Sequence, residues 1–280
     1  MGSLAALQTY WTSAPALAIL TAFLAITLVL AATYQSAKGR TAARLRIIRA
    51  ATWLSVAFWT FVAVSFVVCF LVADQVEYGV AVAKTVAILS ISLAVVVAGI
   101  VSLAISRGAS ARASSVPEGT WAAPAHPAQA LASRLAAQHG VERVRVRLVP
   151  GLPLALAEPP DTIVLSRGLL NLLSPKELGA VLLHELCHLT EADGPEKAFL
   201  GAMRRVLFFD PFLRVLDRAS HREREYRADE WVAKRMGGGA TLASALARLA
   251  GGGPARGRGR RHPSVQDRLT RLLRAGMTRV

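Results

Sequence analysis

The chain has 280 residues, 53% of them hydrophobic, a mean hydropathy of +0.41 and a net charge of +15. That much apolar content excludes an ordinary soluble composition and points to membrane segments, while two cysteines exclude a disulfide framework. Six bases and two acids give residues 1–105 a charge of +4 and leave +11 for residues 106–280, a balance that suits an anionic membrane surface or nucleic acid.

Taken in chain order, residues 15–34 (PALAILTAFLAITLVLAATY) carry no charge and are long enough to cross a hydrocarbon core of about 30 Å. Residues 51–73 are a second such run. Residues 79–105 are a third, broken only by Lys84, whose position near its start suits a lysine reaching for the interface. Tyr10, Trp11, Tyr34, Trp53 and Tyr78 fall at the ends, as interfacial aromatics do. The loop 35–50 holds Lys38, Arg40, Arg44, Arg46 and Arg49 and no acid, whereas 74–78 holds Asp74 and Glu77 and no base. The positive-inside rule then predicts a multi-pass protein of the cell membrane, with its N-terminus outside and residues 106–280 in the cytoplasm. The first run lacks a preceding basic region, so it reads as an uncleaved anchor.

Residues 106–128 are rich in Ala, Ser and Pro and read as a linker. A short helix is predicted at 128–138. Strands follow at 142–149, where apolar and basic residues alternate, and at 154–157 and 162–166 around a Pro-Pro-Asp turn. Ser174-Pro175-Lys176-Glu177 is a helix start, with a capping serine, a proline at the first helical position and a glutamate three residues on. The helix continues through LGAVLLHELCHLTEA and stops near Asp193-Gly194-Pro195. Residues 196–219 are too charged to span a membrane; they suit either an interfacial segment or a buried hairpin of the domain 129–280.

Within that helix stands H-E-x-x-H. His184 and His188 lie one turn apart on one face and can share a Zn²⁺, while Glu185 is placed to take a proton from water. A catalytic site wants a third protein ligand from another element. The run REREYRADEWVA offers Glu223, Glu225, Asp229 and Glu230; Glu225 and Asp229 share a helical face, so Glu225 can ligate while Asp229 orients an imidazole. Cys187 points away from the ligand face and reads as a packing residue; His126, His139 and His221 read as surface residues. The run at 251–261 reads as a flexible basic loop, and no nucleic-acid partner is expected.

H-E-L-C-H followed by E-Y-R-A-D resembles the membrane-bound gluzincin metallopeptidases, in particular the HtpX-type and CAAX prenyl proteases. The segment LFFDPFLRVLDRASHREREYRAD is similar to the peptidase domain of BlaR-type transducers. The resemblance covers roughly residues 140–275. It implies one zinc ion per chain held by His184, His188 and Glu225, with Glu185 as base. It also implies that His262, in RRHPSVQDRL, stabilises the oxyanion, that Arg268 helps hold that loop, and that the strand near 154–157 or 162–166 pairs with an extended substrate.

The expected architecture is α+β: a membrane domain over 1–105 with three transmembrane helices, a linker over 106–128, and a mainly helical zincin-type domain with a small β-sheet over 129–280. The expected activity is zinc-dependent hydrolysis of peptide bonds in membrane or misfolded proteins beside an anionic inner leaflet. Two alternatives stand beside it: a signal-transducing peptidase that cleaves one regulatory protein, and a non-catalytic membrane scaffold with a structural metal.

Overall fold

The computed structural model describes residues 14–72, 119–190, 199–201, 203–204, 207–251 and 264–277. The expected third span at 79–105, Lys84, most of the linker, His262 and most of the run 251–261 lie outside the described residues. The chain divides into two units, 1–111 with 198–219, and 112–197 with 220–280.

The first unit contains α1 (Ala14–Ser36) and α2 (Thr41–Val72). Both are long and apolar enough to cross a membrane, with mean hydropathies of 2.3 over Leu17–Ser36 and 1.3 over Thr41–Ala63. Leu24, Leu28 and Val29 of α1 are exposed, the arrangement expected of a surface that meets lipid. The two helices pack through stacked Phe23 and Phe58, whose ring centroids lie 4.0 Å apart. One expectation is corrected here. The basic stretch read as a loop over 35–50 is helical from Thr41 onwards, because Ala, Leu, Ile and Arg are good or tolerated helix formers and nothing between Thr41 and Ala51 breaks the ladder.

Residues 199–219 also belong to this unit. Phe199, Leu200, Met203, Leu213, Leu216 and Ala219 bury against Ile48, Ala51 and Val56 of α2. Buried positions on α2 recur at three- and four-residue spacing, at Leu45, Ile48, Thr52 and Ser55, as an amphipathic contact requires.

The second unit is α+β. Its strands β1 (Thr120–Trp121), β2 (Arg145–Val149), β3 (Ala155–Glu158) and β4 (Thr162–Ser166) form one sheet in the order β1-β2-β4-β3. β2 and β4 are parallel, with Val146 opposite Ile163; β1 and β3 are antiparallel to their neighbours. β4 is buried along its whole length, which explains its unbroken apolar run. Of the two strands considered for substrate pairing, β4 lies between β2 and β3, and β3 is an edge strand among the described residues. β1 falls inside the stretch read as linker. On β2, Val146 faces the core, while Arg145 and Arg147 pair with Asp161 and Glu158.

Helices α3 (Pro127–Gln138), α4 (Arg167–Leu172), α5 (Pro175–Thr190), α7 (Ala240–Gly251) and α8 (Val265–Met277) complete the unit, joined by α6 (Pro211–Arg235), which starts in the first unit. α5 is the central element and packs on α3, α7, β3 and β4. Leu182 and Leu186 are fully buried there with Ile163, Leu165, Leu169 and Val232. Burying each leucine contributes about 1.5–3 kcal/mol. Gly239 permits the close approach of α8: a Cβ there would meet the Leu272 carbonyl at 2.7 Å.

Candidate metal centre

The start of α5 fixes where its histidines fall. The Ser174 amide donates to Glu177 Oε2 at 2.9 Å and the Glu177 amide donates to Ser174 Oγ at 3.4 Å, a reciprocal capping box followed by Pro175. Glu177 does more than cap. Ser244 Oγ donates to Oε1 at 2.6 Å and Arg248 Nε lies 3.0 Å from it, so α7 is tied to the same carboxylate. These hydrogen bonds, from Ser244 first and Ser174 next, hold the Glu177 pKa down at about 2.

Nine and thirteen residues after the box-opening Pro175, His184 and His188 project from one face of α5. Their Nε2 atoms lie 3.3 Å apart. Glu225 on α6 completes a triangle, with Oε2 3.5 Å from His184 Nε2 and Oε1 3.7 Å from His188 Nε2. The three side chains could hold a metal ion. Tetrahedral zinc with bonds of about 2.0–2.2 Å needs donors separated by roughly 3.3–3.6 Å. The histidine nitrogens stand at that spacing and the two Glu225 oxygens lie within about 0.1 Å of it, at 3.5 and 3.7 Å; two imidazoles with one carboxylate also suit zinc chemically, so the residues fit the ion.

Asp229, one turn after Glu225, stands behind His184: its Oδ1 lies 3.1 Å from Nδ1. That contact leaves Nε2 facing His188 and Glu225. Burial disfavours a charged imidazole at His184, but the Asp229 and Glu225 carboxylates outweigh it and raise the pKa to about 9. Asp229 itself is buried, which works against its charge; the hydrogen bonds from His184 and Arg268 prevail and hold its pKa below the usual range. Glu185 is buried at 9% exposure beside His184, and its charge is among those that keep Arg268 protonated.

Arg268 is the residue whose part the sequence understated. Expected to support a loop, it reaches from α8 into the centre at 5% exposure. Its Nε and Nη2 donate to Asp229 at 2.8 and 2.6 Å, and Nη1 lies 2.9 Å from Glu225 Oε2. The forked guanidinium suits this double carboxylate contact. Spacing alone could not reveal it, because Arg268 lies 39 residues after Asp229. His262 lies outside the described residues.

Other readings are refined. Cys187 is buried, as a packing residue would be. His126 and His139 are half-buried rather than plain surface residues. His126 Nδ1 accepts from the Ala128 amide at 3.2 Å as the N-cap of α3, and His139 Nδ1 accepts from Arg235 Nε at 3.2 Å.

The chain matches the BlaR1 peptidase M56 family over residues 4–241. The match takes in α1 and α2 as well as the H-E-x-x-H helix and Glu225 with Asp229.

Proposed function

The chain belongs to the BlaR1 peptidase M56 family, and from that premise we propose a membrane-anchored zinc endopeptidase that cleaves a specific regulatory protein. The observation that carries the zinc reading is the convergence of His184, His188 and Glu225 at donor spacings of 3.3–3.7 Å. The narrow, signalling role is favoured over general turnover of misfolded proteins because the family match runs through the membrane helices into the peptidase unit. A receiving segment and a hydrolytic centre then form one inherited module. The basic residues of α2 orient the helices so that the peptidase unit faces the cytoplasm.

Zinc bound by the three side chains would supply Lewis acidity to the scissile carbonyl and to a water. The protein's own residues do the rest. Asp229 accepts the His184 Nδ1 proton and so presents Nε2 as a donor lone pair. Arg268 offsets the charge of the buried Asp229 and the half-buried Glu225 carboxylates and holds Glu225 in place. Glu185 takes the proton of the attacking water and passes it to the leaving amine. His262 is assigned to the oxyanion. β3, an edge strand among the described residues, accepts an extended substrate backbone as an added strand.

The test compares wild type with Glu185→Gln, both full-length in detergent and supplied with zinc. Cleavage of an unfolded model protein and of the chain itself is followed with and without chelator. The expected result is equal zinc content, chelator-sensitive cleavage in wild type only, and little attack on the unfolded protein. Rapid attack on the unfolded protein would replace signalling with general turnover. Unchanged biological function in a zinc-loaded Glu185→Gln protein would replace the enzyme with a scaffold.

A further inference from the structure

The turn at 207–210 carries an exposed aromatic tip on an otherwise well-packed segment. Phe208 and Phe209 are 65% and 51% exposed, and Val215 nearby is 57% exposed. The two rings touch edge to face at 5.6 Å, and Phe209 also meets Trp59 of α2 at 4.9 Å. Trp59 is not a surface-level residue of that helix. The last base of its first turns is Arg49; Ser55 lies six residues further and Trp59 ten, about 9 and 15 Å along the axis. One leaflet's hydrocarbon is about 15 Å thick. The turn therefore sits alongside a part of α2 that has already entered the acyl region or its boundary.

Two further observations fit lipid better than water. First, the buried carboxylate and several backbone groups of the turn are served from within the protein. Asp210 is buried, and its Oδ2 accepts from Ser55 Oγ at 2.6 Å and Trp59 Nε1 at 3.0 Å, while its Oδ1 accepts from the Phe212 amide at 2.7 Å. The Asp210 amide donates to the Leu207 carbonyl at 3.0 Å and the Leu207 amide to Met203 at 2.8 Å. Arg214 Nη2 donates to the Phe208 carbonyl. Irregular backbone survives at membrane depth only when satisfied in this way. Second, the exposed Arg214 reaching over the tip is the posture of an arginine where acyl chains meet headgroups. The exposed apolar surface is continuous in character with that of α1 in the same unit, where Leu24 and Leu28 are 51% and 70% exposed.

We propose that the 207–210 turn is a membrane-inserted anchor. Phe208 and Phe209 enter the acyl chains of the leaflet that receives the basic start of α2, Asp210 pins the turn to Ser55 and Trp59, and Arg214 marks the headgroup level. The occupant of this apolar patch is lipid, not a protein partner. The inference stands apart from the peptidase reading, because it is read as depth and not as cleavage.

The test places a nitroxide label at Phe208→Cys in a full-length Cys69→Ser, Cys187→Ala background, reconstituted in phosphatidylethanolamine–phosphatidylglycerol liposomes. Labels at Leu28→Cys and Glu142→Cys serve as lipid-facing and water-facing references. The expected result is a label relaxed by oxygen and shielded from a water-soluble nickel complex, as at position 28. Relaxation by the nickel complex, as at position 142, would overturn the proposal. So would shielding from both relaxants, which would mean that protein, such as a second copy, covers the tip. Phe209→Cys gives the same reading should the first variant fail to fold.

Discussion

Arg268 Nη1 stands 2.9 Å from Glu225 Oε2, the same oxygen that faces His184 Nε2 at 3.5 Å. A buried arginine thus holds a proposed metal ligand by its carboxylate, while its other two nitrogens hold Asp229. The centre is consequently a network with two layers, and its outer layer joins Asp229 of α6 to Arg268 of α8.

Arg268→Ala leaves the buried Asp229 and the half-buried Glu225 carboxylates without their shared cation. Zinc affinity, measured by chelator competition on the full-length protein, is expected to fall about 10–100-fold. Arg268→Lys recovers only part of the loss, since a single ammonium cannot bridge both carboxylates. Full recovery by lysine would show that charge alone matters and that the fork does not.

Asp229→Asn keeps the shape but removes the acceptor charge behind His184. The amide can present its NH₂ to Nδ1 and favour the wrong tautomer. Zinc affinity is expected to drop by roughly 10-fold or more, with folding retained as judged by circular dichroism. An affinity equal to wild type would remove Asp229 from the site.

Glu177 gives a pH-dependent contribution to stability. Its folded pKa of about 2 lies below the ordinary glutamate value of 4.5, so the carboxylate favours the folded state fully above pH 4.5. That contribution declines as pH falls and is gone below about 2. Glu177→Gln is expected to destabilise by about 1–3 kcal/mol at neutral pH. The gap in thermal midpoint between variant and wild type should narrow from pH 4.5 towards pH 2. A gap independent of pH would show that the charge is irrelevant there.

Leu186 sits between the two histidine turns on the buried face of α5. Leu186→Ala is expected to cost about 2–5 kcal/mol, from lost burial and a cavity against the sheet. Denaturant unfolding of the full-length protein in detergent measures it. A cost under 1 kcal/mol would mean that α5 is not packed as described.

Ser55→Ala removes one of three donors from the buried Asp210 carboxylate. A loss of about 1–3 kcal/mol is expected, read as a lower thermal midpoint in detergent. Zinc affinity measured in the same sample should not change. A shift in zinc affinity without a change in midpoint would assign the contact to the metal centre instead.

Much of the site was legible in the sequence because its information is local. His184 and His188 share a face wherever a helix forms, and Ser174 through Glu177 guarantee that helix by chemistry within four residues. The same logic, a spacing of four, put Glu225 and Asp229 on one side of α6. β4 was legible because a strand buried on both faces writes its burial as an unbroken apolar run. α1 was legible as a helix long and apolar enough to cross a membrane, because both properties are written in a contiguous run.

Other features had no local signature. Periodicity placed 162–166 and 154–157 equally well as strands, but only the sheet order makes β3 an edge strand among the described residues. The basic stretch over 35–50 has the composition of a loop at a membrane boundary, yet its Arg44, Arg46 and Arg49 lie within α2, because the backbone has no reason to stop where the charges do. Asp210 finds Ser55 across 155 residues, and Arg268 finds Asp229 across 39. The sequence by itself determined which residues could act as ligands and which helices could enter a membrane, since both follow from the helical repeat and from local apolarity. Which carboxylates share Arg268, which described strand lies at the sheet edge and what Asp210 binds were decided only by the tertiary structure, because packing selects partners from the whole chain and neighbours in sequence carry no record of that choice.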